Sequence, residues 1–170
     1  MTKYFLTLLL MSTMTLTSFG QRFAIVDVSG ILDQMPEYEE AQNQLDKIAA
    51  NWRQEIAEEY DEIKSLYNKY QAEQVLLSDE AREEREEEIM EREKRVRELQ
   101  KQRFGPDGDL FRRRQELVQP IQEKVYNAIE EYADLRGYDA IFDKSGSAGI
   151  IYAGPELEKT DDILRSLDLK

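Results

Sequence analysis

The sequence predicts an α+β protein in which a long antiparallel helical hairpin is inserted into a small β body. Three observations predict it. Residues 37–104 contain neither proline nor glycine. Within them Tyr38, Ala41, Leu45, Ile48, Trp52, Ile56, Tyr60, Ile63, Tyr67 and Tyr70 recur in steps of three or four, the period of a helix. Short β-branched and aromatic runs stand only near the two ends of the mature chain, so strands must meet across the inserted arm.

Residues 1–20 have the form of a secretory signal peptide: Lys3 near the start, a short apolar run from Tyr4 to Leu16, and small residues Ser18 and Gly20 ahead of a cleavage point before Gln21. A retained anchor would need roughly 20 apolar residues, more than this run supplies. No stable membrane insertion is therefore expected after cleavage. The whole chain carries a formal charge of −13; without Lys3, 22 basic residues face 36 acidic ones, a net −14. Nucleic acid and anionic bilayers are repelled by such a chain at long range, and neither is expected as a partner. With no cysteine, stability must come from packing or assembly.

Arg22 to Val28 is apolar on both alternating faces and too short for a helix, which is the pattern of a buried strand. Ser29 is placed to cap a short helix through Ile31, Leu32 and Met35, and Pro36 suits the first turn of the next helix. The outgoing arm, Glu37 to Leu77, spans roughly 60 Å at about 1.5 Å per residue. Its tip falls near residues 76–80, where Ser78 is a good N-cap.

The returning arm is the anomaly. From Asp79 to Arg103 its only apolar residues are Ala81, Ile89, Met90, Val96 and Leu99, set among glutamates and arginines. So sparse a helix leaves part of the facing stripe uncovered. Pairs such as Glu88 with Arg92 and Glu91 with Arg95 account for the charges as a solvated face, but not for the stripe opposite.

Gly105-Pro106-Asp107-Gly108 breaks this arm opposite Asn51 and Trp52, and Asp109 is placed to cap the helix that follows through Tyr132. Pro120 removes a helical hydrogen bond and favours a bend. Gly105, Pro106, Gly108 and Pro120 are thus the hinge candidates, whether the break works as a hinge or as a fixed kink. Gly137 suits a left-handed C-cap. Residues 138–143 and 149–153 then read as a β-hairpin, and Thr160 as the cap of a closing helix carrying Ile163, Leu164 and Leu167.

The arm, residues 37–120, is therefore an insertion, and residues 21–36 and 121–170 form a β-containing oligomerisation body. Three short strands with apolar residues on both faces are too few to enclose a core. Strands from other subunits must complete it. Phe23, Ile25, Val26, Ile141, Phe142, Ile150 and Ile151 are expected to build that shared core.

No histidine and no cysteine are present, which removes the usual general base, the thiolate nucleophile, and imidazole or thiolate metal ligands. Ser145-Gly146-Ser147-Ala148-Gly149 lacks the first glycine of a nucleophile elbow, and Asp107-Gly108-Asp109 lacks the remaining ligands of a calcium loop. Neither an enzyme nor a cofactor is expected. Aromatic residues are the better functional lead. Trp52, Tyr60, Tyr67 and Tyr70 on the outgoing arm, with Met90 on the returning one, are candidates for contacting extended polypeptide through area; the competing role is to fill the seam between the arms.

The order of these features resembles the Skp/OmpH family of periplasmic chaperones. The resemblance rests on Phe23-Ala24-Ile25-Val26-Asp27-Val28 with Ile31, Leu32 and Pro36 at one end. At the other stand Tyr138-Asp139-Ala140-Ile141-Phe142-Asp143, Ile151-Tyr152 and Thr160-Asp161-Asp162-Ile163-Leu164. It implies a homotrimer with a shared β-barrel core and three arms around a cavity, acting without ATP to keep unfolded outer-membrane proteins soluble in the periplasm. Two features depart from it. Well-known members have basic arms whereas this chain is acidic, so a lipopolysaccharide role does not carry over, and residues 105–108 interrupt what should be a continuous arm. The alternative is a structural or adaptor coiled coil of the cell envelope that binds one folded partner.

Overall fold

The computed structural model describes residues 20–146 and 149–170. The expected signal peptide lies almost wholly outside them, as do Ser147 and Ala148 of the expected hairpin turn. Along the chain run β1 (Phe23–Val26), α1 (Val28–Leu32), α2 (Pro36–Glu73), α3 (Asp79–Phe104), α4 (Asp109–Arg136), β2 (Ala140–Asp143) and α5 (Thr160–Ser166). These form two compact units, one of the chain up to Ile31 together with Tyr126–Lys170, the other of Leu32–Val125.

The first unit is built on β1. Ala24, Ile25 and Val26 are all buried, as a strand covered on both faces requires. β1 pairs in parallel with β2, Phe23 opposite Ala140 and Val26 opposite Asp143. A parallel pair needs a long crossover, and here the whole helical insertion supplies it. Val28, Ile31, Ile163 and Leu164 complete the buried apolar set of this unit.

The expected third strand does not form at residues 149–153. Gly149 takes a left-handed φ of 65° and Ile151 is 100% exposed, and among the described residues no ladder holds this segment extended. Residues 149–153 thus make no hairpin with β2, and the side of β1 away from β2 is taken by the chain just before α5. The Ile25 N–H donates to the Leu157 carbonyl at 2.8 Å, and the Lys159 N–H donates to the Ile25 carbonyl at 2.8 Å.

Three cap assignments also change. α1 begins at Val28, with the Asp27 carboxylate accepting the Gly30 N–H at 2.8 Å, so Asp27 is the cap and Ser29 lies inside the helix. Thr160 is the first residue of α5 and not its cap; its hydroxyl accepts the Asp27 N–H at 2.8 Å and ties α5 to the end of β1. Asp109 is the first residue of α4, whose opening turn is closed by the Arg112 N–H donating to the Gly108 carbonyl at 3.1 Å. For Thr160 and Asp109 the side chain is engaged by a partner other than its own helix end, Asp27 and Glu158 in one case and Arg103 and Arg112 in the other.

α4 closes as expected. Gly137 has φ 67°, and the Tyr138 N–H reaches the Ala133 carbonyl at 3.0 Å, the long bond of a Schellman motif. Tyr132, stacked on Tyr138 with centroids 5.9 Å apart, donates its hydroxyl to Asp162 at 2.9 Å. Burial, with the Asp162 carboxylate beside it, pushes the Tyr132 hydroxyl up to about 12. The end of α4 is thereby fastened to α5.

A Cβ at Gly137 would meet only the Arg22 guanidinium, at 3.5 Å, so Gly137→Ala is strained by its backbone conformation alone. The expected loss is about 1–2 kcal/mol. Urea unfolding at fixed protein concentration should show it as a lower midpoint with unchanged slope.

Candidate binding surface on the helical arm

Pro36 opens α2, an unbroken helix of 38 residues. Ser78 caps α3 by accepting the Ala81 N–H at 3.3 Å. Between the two helices Ile56 and Ile63 pack with Ile89 and Val96, flanked by Leu66, Tyr70, Leu99 and Phe104. Nearer the start of α2, Ala41 and Leu45 pack with Val118 of α4, flanked by Tyr38, Leu110, Leu117 and Ile121. In its 26 residues α3 buries only Ile89 and Val96. The seam between α2 and α3 is therefore narrow, and side chains beside it stay in water.

Those side chains include three of the five expected contact residues. Tyr60, Tyr67 and Met90 are exposed to 41, 48 and 61%. Tyr60 and Tyr67 are seven residues apart and share a face of α2. Trp52 and Tyr70 are taken into the arm itself. Trp52 meets the edge of Phe104 at 6.2 Å, with the Arg103 guanidinium 4.6 Å over its ring, and the Tyr70 hydroxyl donates to Glu86. Sequence reasoning missed Val75 and Leu76 at the tip, which are 80 and 85% exposed. Their signal was present as two adjacent large apolar residues inside a turn.

The break between α3 and α4 is a packed turn. The Gly105 N–H donates to the Lys101 carbonyl at 2.8 Å and the Gly108 N–H to the Gly105 carbonyl at 2.9 Å. A Cβ would lie 2.4 Å from the Lys101 carbonyl oxygen if placed on Gly105, and 2.7 Å from that of Gln102 if placed on Gly108. Close backbone approach, not a left-handed φ, is what requires glycine here. Arg103 braces the turn, 2.9 Å from Asp109 and 3.7 Å from Glu55, and Arg112 pairs with the same Asp109. Pro120 lies within α4, which continues through it.

Charge pairs elsewhere on the arm lie on exposed or half-exposed side chains, and some are close, Arg92 to Glu62 and Arg85 to Glu88 both at 2.8 Å. Glu88 to Arg92 is 4.0 Å and Glu91 to Arg95 is 3.9 Å, contacts that contribute little to stability. Among the described residues no group of acidic side chains is arranged to hold a metal ion.

The residues expected at a shared core are divided in the single chain. Ile25 and Val26 are already buried, and Ile141 and Ile150 are half-buried. Phe23 and Phe142, with ring centroids 5.9 Å apart, are 40 and 44% exposed. Ile151 is fully exposed.

Comparison with known proteins agrees with this architecture. The profile of the outer membrane protein (OmpH-like) family matches residues 22–167. The chain is 26% identical over 146 residues to the chaperone protein Skp of Yersinia enterocolitica, covering 86% of this chain and 85% of that one. Its fold is similar to that of a crystal structure described as a candidate outer membrane chaperone (OmpH-like) from Caulobacter crescentus. The TM-score is 0.70 at 12% identity, covering 89% of this chain and 86% of the other.

The brace at the break should respond to acid. Burial works to raise the Asp109 carboxyl, but hydrogen bonds and charge from Arg103 and Arg112 outweigh it and hold it below its ordinary value. Its contribution is therefore present above the unfolded-state value, about 3.9, and is lost as pH falls through the lowered folded-state value. Thermal melts of the wild type and Asp109→Asn should differ at neutral pH and converge toward pH 2. A gap that persists at low pH would contradict the assignment.

Proposed function

The chain belongs to the OmpH-like family of outer membrane proteins, and on that footing we propose that it is an ATP-independent holdase of the periplasm. It works as a homotrimer whose arms keep unfolded outer-membrane proteins from aggregating. The observation that carries the reading is the narrow α2–α3 seam, which leaves Tyr60, Tyr67, Met90, Val75 and Leu76 in solvent on an otherwise highly charged arm. Apolar side chains at fixed helical spacing in a charged surround hold a chain through many weak contacts, and the charge opposes association between arms. No catalysis is involved.

The body supports the assembly. Among the described residues β2 pairs only with β1, so its far edge has no ladder partner. Beside that edge stands Phe142, 44% exposed, and Ile151 and Tyr152 lie in solvent. An open edge next to large apolar side chains is a template for another chain. Strands from two further copies would close it.

Light scattering on the mature protein should give three chains per particle. The protein should suppress aggregation of an unfolded outer-membrane β-barrel diluted from denaturant. A variant carrying Tyr60→Ser, Tyr67→Ser and Met90→Ser should remain trimeric, with stability changed by no more than about 1.5 kcal/mol for three exposed sites, while suppression falls roughly 2- to 5-fold. A monomer, or saturable binding of one folded protein with no effect on unfolded ones, would contradict the proposal.

A further inference from the structure

The acidity of the chain is not spread evenly over the arm. Between Glu58 and Glu93, around the tip, fourteen acidic residues stand against five basic ones. Three of those five, Arg82, Arg85 and Arg92, are already held by carboxylates of the arm. From Lys94 to Arg114 the balance reverses to eight basic against three acidic. The field therefore changes sign along the returning arm, and the negative part carries five of the arm's six exposed large apolar side chains among the described residues, Phe111 in the basic stretch being the sixth.

That coincidence extends to single residues. Glu80, Glu83, Glu84 and Glu87 recur at helical spacing on the side of α3 away from Ile89, and all four are exposed. They form no ion pair among the described residues. Met90, exposed to 61%, follows Glu86 by four residues and Glu87 by three, so carboxylates border its thioether on the helix surface. Across the hairpin Tyr60 and Tyr67 are exposed on α2, and Val75 and Leu76 at the tip.

We propose that this distal arm, residues 58–93, is a docking surface for cationic, apolar polypeptide: unfolded client segments in which Lys or Arg alternate with aliphatic or aromatic side chains. The inference rests on the holdase reading and names the class of client. Charge complementarity selects this occupant over the others. Anionic polymers and bilayers are repelled by the distal arm, and so is the matching arm of a second copy. A cationic segment brings its apolar side chains onto Tyr60, Tyr67 and Met90 while its charges meet Glu83 and Glu87. Each exposed contact is weak, and selection comes from their number.

Three fluorescent, unstructured peptides with identical apolar residues and Lys, Gln or Glu between them test this against the full mature protein by anisotropy. At low salt the Lys peptide should bind about tenfold tighter than the Gln peptide, with the Glu peptide weakest. In about 0.5 M NaCl the three should converge. Changing Glu80, Glu83, Glu84 and Glu87 together to Gln should narrow the preference to about threefold and leave Gln-peptide binding unchanged.

Equal binding of all three peptides, or a preference untouched by the four substitutions, overturns the proposal. So does salt-sensitive association of trimers, which would make the basic stretch of another copy the occupant. If the Gln peptide binds but the Lys peptide binds no better, only this inference fails. If no peptide binds and unfolded proteins aggregate freely, the holdase reading fails with it.

Discussion

The arm depends on an unequal seam. α2 presents an apolar side chain every three or four residues, and α3 answers with two buried ones, Ile89 and Val96. Two helices so matched can dry only a strip between them. Long helices depend on packing more than on propensity, so the strip is enough to hold the pair together. Everything apolar beside it remains in water. Had α3 carried a continuous stripe, the arm would be a closed coiled coil with nothing left to offer a partner.

The break at residues 105–108 follows from the same economy of apolar residues. The first part of α2 cannot be covered by α3, and α4 takes over there with Val118 and its neighbours. The changeover is made by a turn whose two glycines pass within carbonyl distance of neighbouring backbone. Arg103 closes it by lying over Trp52 and pairing with Asp109 and Glu55. This is how Trp52 becomes part of the arm's own structure, while Tyr60, Tyr67 and Met90 stay exposed on it.

Period and punctuation make most of the fold legible in the sequence. The helical spacing from Tyr38 to Tyr70, Ser78 as a cap, the glycine-rich break and Gly137 as a C-cap are local signals, and local backbone physics decides them. Non-local partners were not legible. Asp27 won the cap of α1, Thr160 was drawn to the Asp27 N–H, and β1 took residues 157–159 as its second neighbour while residues 149–153 formed no hairpin with β2. Spacing marked five candidate contact residues but could not tell which side of a narrow seam each would fall on. Trp52 and Tyr70 went inward because Phe104 and Glu86 were there to receive them.

The central claim is that side chains left outside the seam, and not those inside it, meet the client. Fluorine NMR of the protein carrying fluorotyrosine, titrated with an unfolded outer-membrane protein, tests it most directly. Tyr60 and Tyr67 should shift or broaden, while Tyr132, held by Asp162 in the body, should stay fixed. Perturbation confined to Tyr132 and its neighbours, with Tyr60 and Tyr67 unmoved, would contradict the account.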